Sequence, residues 1–295
     1  MTARVVALLL IVTLASPSSG VAQQAAWDSV GRILGAPDGF TGGYHRYNLP
    51  RRDLSLRVGD VTVAPQLALG AWAGFSGTPD DATMMGDLVL TAPEVRPVLA
   101  ELARERIEVT AVHNHLLGEE PRLTYIHLHG QGDAVELARR LDRAIALTGT
   151  PRPVQPAPSQ PLTIDSAAVF AALGQSGRAQ GAVAQLSFIL VQQQVLLDGR
   201  AVTPALGYGS PINVQMVDGS RAVATGDFAV TGPKVDGLLR ALTQHGITAT
   251  AVHSHLIGES PPLYYIHFWA DSRLPEVLRG LRAALDTVRQ GMGSR

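Results

Sequence analysis

Residues 107–128 read IEVTAVHNHLLGEEPRLTYIHL, and residues 247–268 read ITATAVHSHLIGESPPLYYIHF. At a constant offset of 140 residues, 14 of these 22 positions are identical. A long stretch matching at one offset marks an internal duplication, and a duplication sets the architecture before any single element is assigned. The match extends upstream, where Gly86-Asp87 and Thr91-x-Pro93 correspond to Gly226-Asp227 and Thr231-x-Pro233. Between the copies lies TPRPVQPAPSQP (150–161), five prolines in twelve residues, a composition that makes a semi-rigid, extended spacer. The expected organisation is a signal peptide over 1–22, a first repeat domain over 23–149, a proline-rich linker over 150–161 and a second repeat domain over 162–295.

Each copy reads as helix, three strands, helix, two strands, helix, an α-β-β-β-α-β-β-α order without a steady β-α alternation. This pattern points to an α+β fold repeated in tandem. In copy one, Trp27–Leu34 is expected as a helix. Strands are expected around Tyr44–Asn48, Leu54–Val63 and Leu67–Phe75, with a short one at Asp87–Leu90. Thr91-Ala-Pro-Glu94 carries the signature of a capped helix start. After it come the two runs of the hairpin and an amphipathic helix over Asp133–Leu147.

The hairpin concentrates the chemistry, since seven of the nine histidines lie in its two copies. If Leu117 pairs with Leu123, His113 lies opposite His127 and His115 opposite Tyr125. Alternation along a strand then gathers His113, His115, His127 and His129 on one face, with Val112, Leu116, Ile126 and Leu128 on the other. Copy two groups His253, His255, His267 and Tyr265 in the same way, with Trp269 where copy one has His129. Glu119 and Glu259 sit at the turns. Imidazoles and a carboxylate that converge in this way can ligate zinc, copper, iron, manganese or nickel. The expected ligands are His113, His115, Glu119, His127 and His129 in copy one, and His253, His255, Glu259 and His267 in copy two. Because Trp269 cannot ligate, copy one is expected to hold the better site. Glu119 is also a candidate general base and Tyr125 a candidate proton donor. The competing reading makes these histidines structural, within a non-catalytic module that binds a small ligand or a cell-envelope component. Asp87 and Asp227 could orient imidazoles or could simply be turn and cap residues.

Composition narrows the classes further. A net charge of −1 with no basic cluster excludes the electrostatic footprint of a nucleic-acid or anionic-lipid binder. The chain has no cysteine, so neither disulfides nor thiolate ligands are available. Its first residues run from Arg4 through the apolar stretch Val5–Ala15 to Gly20-Val21-Ala22, the order of a cleavable export signal too short to span a bilayer.

Through Gly86-Asp87, HNHLLGEEPRLTYIH from His113 and HSHLIGESPPLYYIHFW from His253, the chain resembles the LppY/LpqO-like family of exported bacterial proteins. The resemblance covers essentially the whole mature chain and implies an extracytoplasmic protein with a duplicated domain. It implies no particular activity. The best-known members look like lipoproteins, and this chain departs from them in having no cysteine to lipidate, so a soluble protein is expected. N-terminal sequencing of the exported protein should begin at or close to Gln23; an intact Met1 on cytoplasmic protein would remove the export reading.

Overall fold

In the computed structural model, residues 19–289 are described. The expected signal peptide falls outside them except for residues 19–22, which form the first turn of α1 (Ser19–Leu34). Copy one continues with β1 (Asp38–Thr41), β2 (Tyr44–Pro50), β3 (Leu56–Val58) and β4 (Val61–Val63). The single-turn α2 (Pro65–Ala68) then leads into β5 (Gly70–Thr78) and β6 (Asp81–Thr91). Next come α3 (Ala92–Arg104), β7 (Glu108–His113), β8 (Glu119–Glu120), β9 (Leu123–Gly132) and α4 (Ala134–Ile145). Copy two runs through α5 (Ser166–Leu173), β10 (Gly177–Gln180), β11 (Val183–Ile189), β12 (Leu196–Leu197) and β13 (Arg200–Ala201). It finishes with α6 (Pro204–Gly207), β14 (Gly209–Met216), β15 (Arg221–Thr231), α7 (Gly232–Gln244), β16 (Thr248–His253), β17 (Leu263–Arg273) and α8 (Leu274–Arg289).

The two copies build the same sheet. Strand order is β1-β2-β5-β6-β9-β7 in the first and β10-β11-β14-β15-β17-β16 in the second, with every neighbouring pair antiparallel. The fold is thus an α+β tandem repeat. Residues 150–161 contain no helix or strand, and this proline-rich stretch is tied to copy one where Val154 donates to the Gly35 carbonyl at 2.7 Å.

Each sheet is covered by its long helices on one face only, while the single turns α2 and α6 lie on the other. Behind sheet one, α4 lays its apolar stripe, including Leu137, Leu141 and Ile145, onto a core that also contains Leu90, Val98, Ile126 and Leu128. Behind sheet two, Leu281, Leu285 and Val288 of α8 pack over Phe228, Ile266 and Phe268. Burial on this scale, at about 25 cal/mol per Å² of apolar surface, is the main favourable contribution to folding. The faces without a long helix meet each other. Part of that layer is apolar, with Tyr44 and Met85 of copy one packed among Val195, Leu206 and Tyr265 of copy two. The rest is held by polar side chains of sheet two that grip the backbone before β5. Asn213 Nδ2 donates to Leu67 O at 3.0 Å, Gln215 Nε2 to Thr62 O at 2.8 Å, and Gln185 Nε2 to Gln66 O at 2.8 Å.

Several sequence expectations change in position. The short strand at Asp87–Leu90 is the end of an eleven-residue strand, β6, whose residues 84–90 are all buried, so no polar alternation marks it. The run Leu54–Val63 is a small hairpin of two three-residue strands, and Leu67–Phe75 begins in α2 rather than in a strand. The expected helix after Asp133 is present, with the Asp133 carboxylate accepting from Glu136 N at 2.8 Å. Capping at Thr91 is present too, with Thr91 N donating to Glu94 Oε2 at 2.7 Å.

Glu94 belongs to a network found in copy one only. Arg51, 1 % exposed, donates to Val89 O at 2.6 Å and forms ion pairs with Asp53 and Glu94, both at 2.8 Å. Its counterparts are Leu190 for Arg51, since β2 and β11 match at an offset of 139 residues, and Lys234 for Glu94. Removing one member of a buried ion pair leaves its partners without a counter-charge. Arg51→Met is therefore expected to lower unfolding free energy by about 3 kcal/mol, as measured by urea denaturation. A change below about 0.5 kcal/mol would show that the network contributes nothing net.

Candidate metal centre between the two sheets

The Gly-Asp pairs explain how a carboxylate comes to lie beside the histidines. A Cβ at Gly86 would stand 2.7 Å from Trp72 O, and one at Gly226 would stand 2.1 Å from Pro211 O, so only glycine lets neighbouring strands pass this closely. The next residue in each copy points into the inter-sheet layer opposite a histidine: Asp87 pairs with His127, and Asp227 with His267. Both aspartates lie within strands and are buried, which replaces the turn or cap reading.

The hairpin register also differs from expectation. His113 pairs with Tyr125, and Ala111 rather than His113 lies opposite His127, because the strand ends at His113 and Leu117 does not pair with Leu123; a bulge between Val109 and Ala111 shifts the far end of the strand by one residue more. Copy two repeats this, with His253 opposite Tyr265 and a bulge between Ala249 and Ala251. The residues between the bulge and the turn serve the inter-repeat contact. Thr110 Oγ1 donates to His255 O and Thr250 Oγ1 to His115 O, both at 2.6 Å, and Asn114 Nδ2 donates to Thr250 O at 3.1 Å. Reciprocal bonds of this kind make a self-complementary interface between like halves. Val112, on the face away from the histidines, is 51 % exposed.

This docking joins the two histidine sets into one cluster. His113 Nε2 stands 3.2 Å from His267 Nε2, and His253 Nε2 stands 3.3 Å from His127 Nε2. The rings of His113 and His253 stack at 4.0 Å between centroids. Ligand atoms of His113, His115, His127 and His267 all lie within 4.8 Å of one another, and so do those of His127, His253, His255 and His267. Each group draws on both copies, whereas the sequence reading placed a separate site in each.

Carboxylates and tyrosines brace these rings. His115 Nε2 is 3.5 Å from Asp87 Oδ2, and His255 Nε2 is 2.9 Å from Asp227 Oδ2. His267 Nδ1 donates to Gly226 O at 2.9 Å, which leaves Nε2 with its lone pair directed into the cluster. His115 stacks on Tyr125 at 3.4 Å and His255 on Tyr265 at 3.5 Å. The Tyr125 hydroxyl is engaged with Ala68 O at 3.0 Å, and that of Tyr265 with Gly207 O at 2.8 Å. Tyr125, the candidate proton donor, is thus a ring platform with a committed hydroxyl, and burial raises its pKa well above the usual value.

Glu119, Glu259 and His129 are placed elsewhere. Glu119 Oε1 accepts from Leu123 N at 3.3 Å, and Glu259 Oε1 accepts from Leu263 N at 2.8 Å, so both carboxylates close the hairpin turn. Neither belongs to the converging groups. His129 Nδ1 meets Glu108 Oε2 at 2.8 Å on the edge of sheet one and is likewise not among them.

The electrostatics are those of donors held in a dry place. Burial, with the neighbouring histidines, pushes His113 down to about 2, and burial alone takes His255 to about 3. The pKa values of His115, His127, His253 and His267 are lowered for the same first reason. Burial raises Asp227 to about 6; it also raises Asp87 well above its usual range, assisted by the charge on Asp227. The imidazoles are therefore neutral near pH 7, the protonation state in which they donate a lone pair to a metal. Six buried atoms here make no hydrogen bond, in symmetry-matched pairs: Nδ1 of His113 and His253, Oδ1 of Asp87 and Asp227, and Nε2 of His115 and His255, which face the aspartate Oδ2 atoms without the alignment a hydrogen bond requires. Each such atom costs about 1–3 kcal/mol.

The cluster fits a divalent cation. Two nitrogens each about 2.0–2.1 Å from a tetrahedral zinc stand roughly 3.3 Å apart. The observed cross-repeat separations of 3.2 and 3.3 Å match that span. The buried histidine groups could therefore hold a metal.

No curated protein sequence matches this chain. Among solved structures, EtuB from Clostridium kluyveri is 14 % identical over 85 % of this chain and 89 % of its own, with a TM-score of 0.21. The double-ringed trimeric shell protein MSM0271 from the RMM microcompartment is 12 % identical over 73 % and 87 %, with a TM-score of 0.18. Neither overlays closely enough to inform the site. One family matches twice, over residues 28–147 and 167–287, once for each copy of the hairpin and the sheet it belongs to. The chain belongs to the family described as the Domain of Unknown Function DUF1259.

Proposed function

We propose that this protein binds a divalent metal ion between its two repeats, and that it does so outside the cytoplasm after export. The observation that supports this most strongly is the convergence of six neutral imidazoles from both repeats, two buried and four partly buried, with unsatisfied polar atoms in matched pairs. An all-histidine first shell backed by carboxylates suits zinc, copper, nickel or ferrous iron better than manganese, which favours oxygen ligands. The residues proposed to ligate are His113, His115, His127, His253, His255 and His267. Asp87 and Asp227 orient His115 and His255 and supply negative charge near the cation. Glu119, Glu259 and His129 leave the ligand set because none of them belongs to the converging groups. His127 and His267 belong to both groups, so the centre is shared between the copies rather than stronger in one.

Two features suit a centre that exchanges or reacts rather than one sealed for structure. His113, His115, His253 and His255 are only partly buried, so the cluster reaches the surface along the edges of β7 and β16. A bound metal there would supply Lewis acidity to a ligand arriving from solvent. The chain's own part is to fix the rings and hold a carboxylate beside them. The alternative is a metal-free envelope-binding module, in which case the histidines would serve only as structural groups.

Protein purified without a nickel column is expected to contain at least about one equivalent of a transition metal by inductively coupled plasma mass spectrometry. His127→Ala combined with His267→Ala should reduce this below a tenth of an equivalent. Because every group needs both repeats, chelation should also lower Tm by about 5 °C or more. Background metal in the wild-type protein, with no uptake on adding zinc, copper, nickel or ferrous iron, would leave the binding-module reading ahead.

A further inference from the structure

A pocket of about 330 Å³ lies along the hairpin of copy one, and His113 forms part of its wall. The same imidazole stands 3.2 Å from His267 Nε2, so this one side chain borders both the pocket and the histidine cluster. Apolar and polar groups share the lining around that histidine. Leu116 and Leu123, both buried, line its inner part, while Leu117 at 53 % exposure lies towards solvent. Arg122 is also part of the lining and is exposed. Among the described residues, no carboxylate pairs with its guanidinium. Glu119, the acidic group in the lining, has Oε1 committed to Leu123 N.

The corresponding place in copy two is built differently. At the 140-residue offset, Arg122 becomes Pro262 and Thr124 becomes Tyr264. The Tyr264 ring lies close over the start of α7, 3.3 Å from where a Cβ on Gly232 would stand. One flank of an otherwise matched centre thus carries a cation and a small side chain, and the other carries neither. Duplication supplies the histidines twice, and this difference distinguishes one approach to them.

We propose that the copy-one pocket binds a small monocarboxylate with an apolar tail, its acid group on the Arg122 guanidinium and its tail against Leu116, Leu117 and Leu123. A guanidinium presents a planar fork that matches a carboxylate with two parallel hydrogen bonds. A cleft of this size, apolar with a few placed polar groups, is the usual form of a small-ligand site. A single cation favours a monoanion over a phosphate, which would need further donors. The role of this pocket as the substrate-facing side of the centre rests on the metal reading above; the binding itself does not.

Hexanoate and its uncharged counterpart 1-hexanol serve as probes, titrated by nuclear magnetic resonance against the full chain before and after chelation. Hexanoate is expected to shift the signals of residues around Leu116 and Leu123, more tightly than hexanol. Arg122→Gln should weaken hexanoate at least tenfold and leave hexanol within twofold. Thr124→Tyr, which imports the copy-two side chain, should weaken both. Metal content measured on the same samples should be unchanged in both variants. Failure of hexanoate to bind at millimolar concentration, or equal binding by wild type and Arg122→Gln, overturns the proposal whatever the metal content. Arginine-dependent binding that persists in protein found to hold no metal would keep the pocket and remove the metal reading.

Discussion

The contact on which the structure depends is the meeting of two sheets through faces that no long helix covers, with only the single turns α2 and α6 between them. A sheet must bury one face against something, and here each repeat uses the other. Such a layer is stable only if the polar groups it traps are paired across it. Thr110 and Thr250 reach the carbonyls of His255 and His115, and the amides of Asn213, Gln215 and Gln185 take up the backbone between Thr62 and Leu67. The histidines are the portion of this layer that protein partners leave unfinished, which is why structural and chemical roles cannot be separated there. Fixing the sheets relative to one another also sets the distances between the imidazole nitrogens.

Much of this was legible in the sequence. The 140-residue offset showed the duplication, and the alternation around His113 and Tyr125 showed the strands. The clustering of histidines showed where the polar chemistry would lie. The register was not legible, because a slip of two residues keeps every side chain on its own face and leaves the hydrophobic pattern unchanged; the turn, which begins after His113, sets it. The carboxylates nearest the rings are also not the ones the hairpin motif pointed to. Glu119 lies four residues after His115 and looked like a ligand, yet at that spacing its oxygen closes the turn on Leu123 N. Asp87 lies far away in sequence and comes beside the cluster only because β6 and β9 pair. Its signal was the glycine before it in both copies, where the strands pass too closely for any Cβ.

The composite character of the centre was invisible for a different reason. An offset between repeats states that two units are alike and says nothing about how they dock. His113 approaches His267, 154 residues away, and no local pattern encodes that distance. The differences between the repeats are equally informative. Arg51 and Glu94 brace copy one where copy two has Leu190 and Lys234, and His129 pairs with Glu108 where copy two has Trp269 and Thr248. These changes lie away from the shared rings, in places where one half can vary without moving the other.

The reciprocal bonds between Thr110 and His255, and between Thr250 and His115, have a consequence for how such a molecule can arise. A half-length chain carrying one threonine, one His-x-His pair and one sheet histidine already contains both sides of the contact. Two identical half-chains related by a rotation would satisfy every one of these bonds as a homodimer. Joining them through a proline-rich tether removes the requirement that the halves stay identical. An entrance, a brace or a rim can then be altered on one side of a centre whose ligands still come from both.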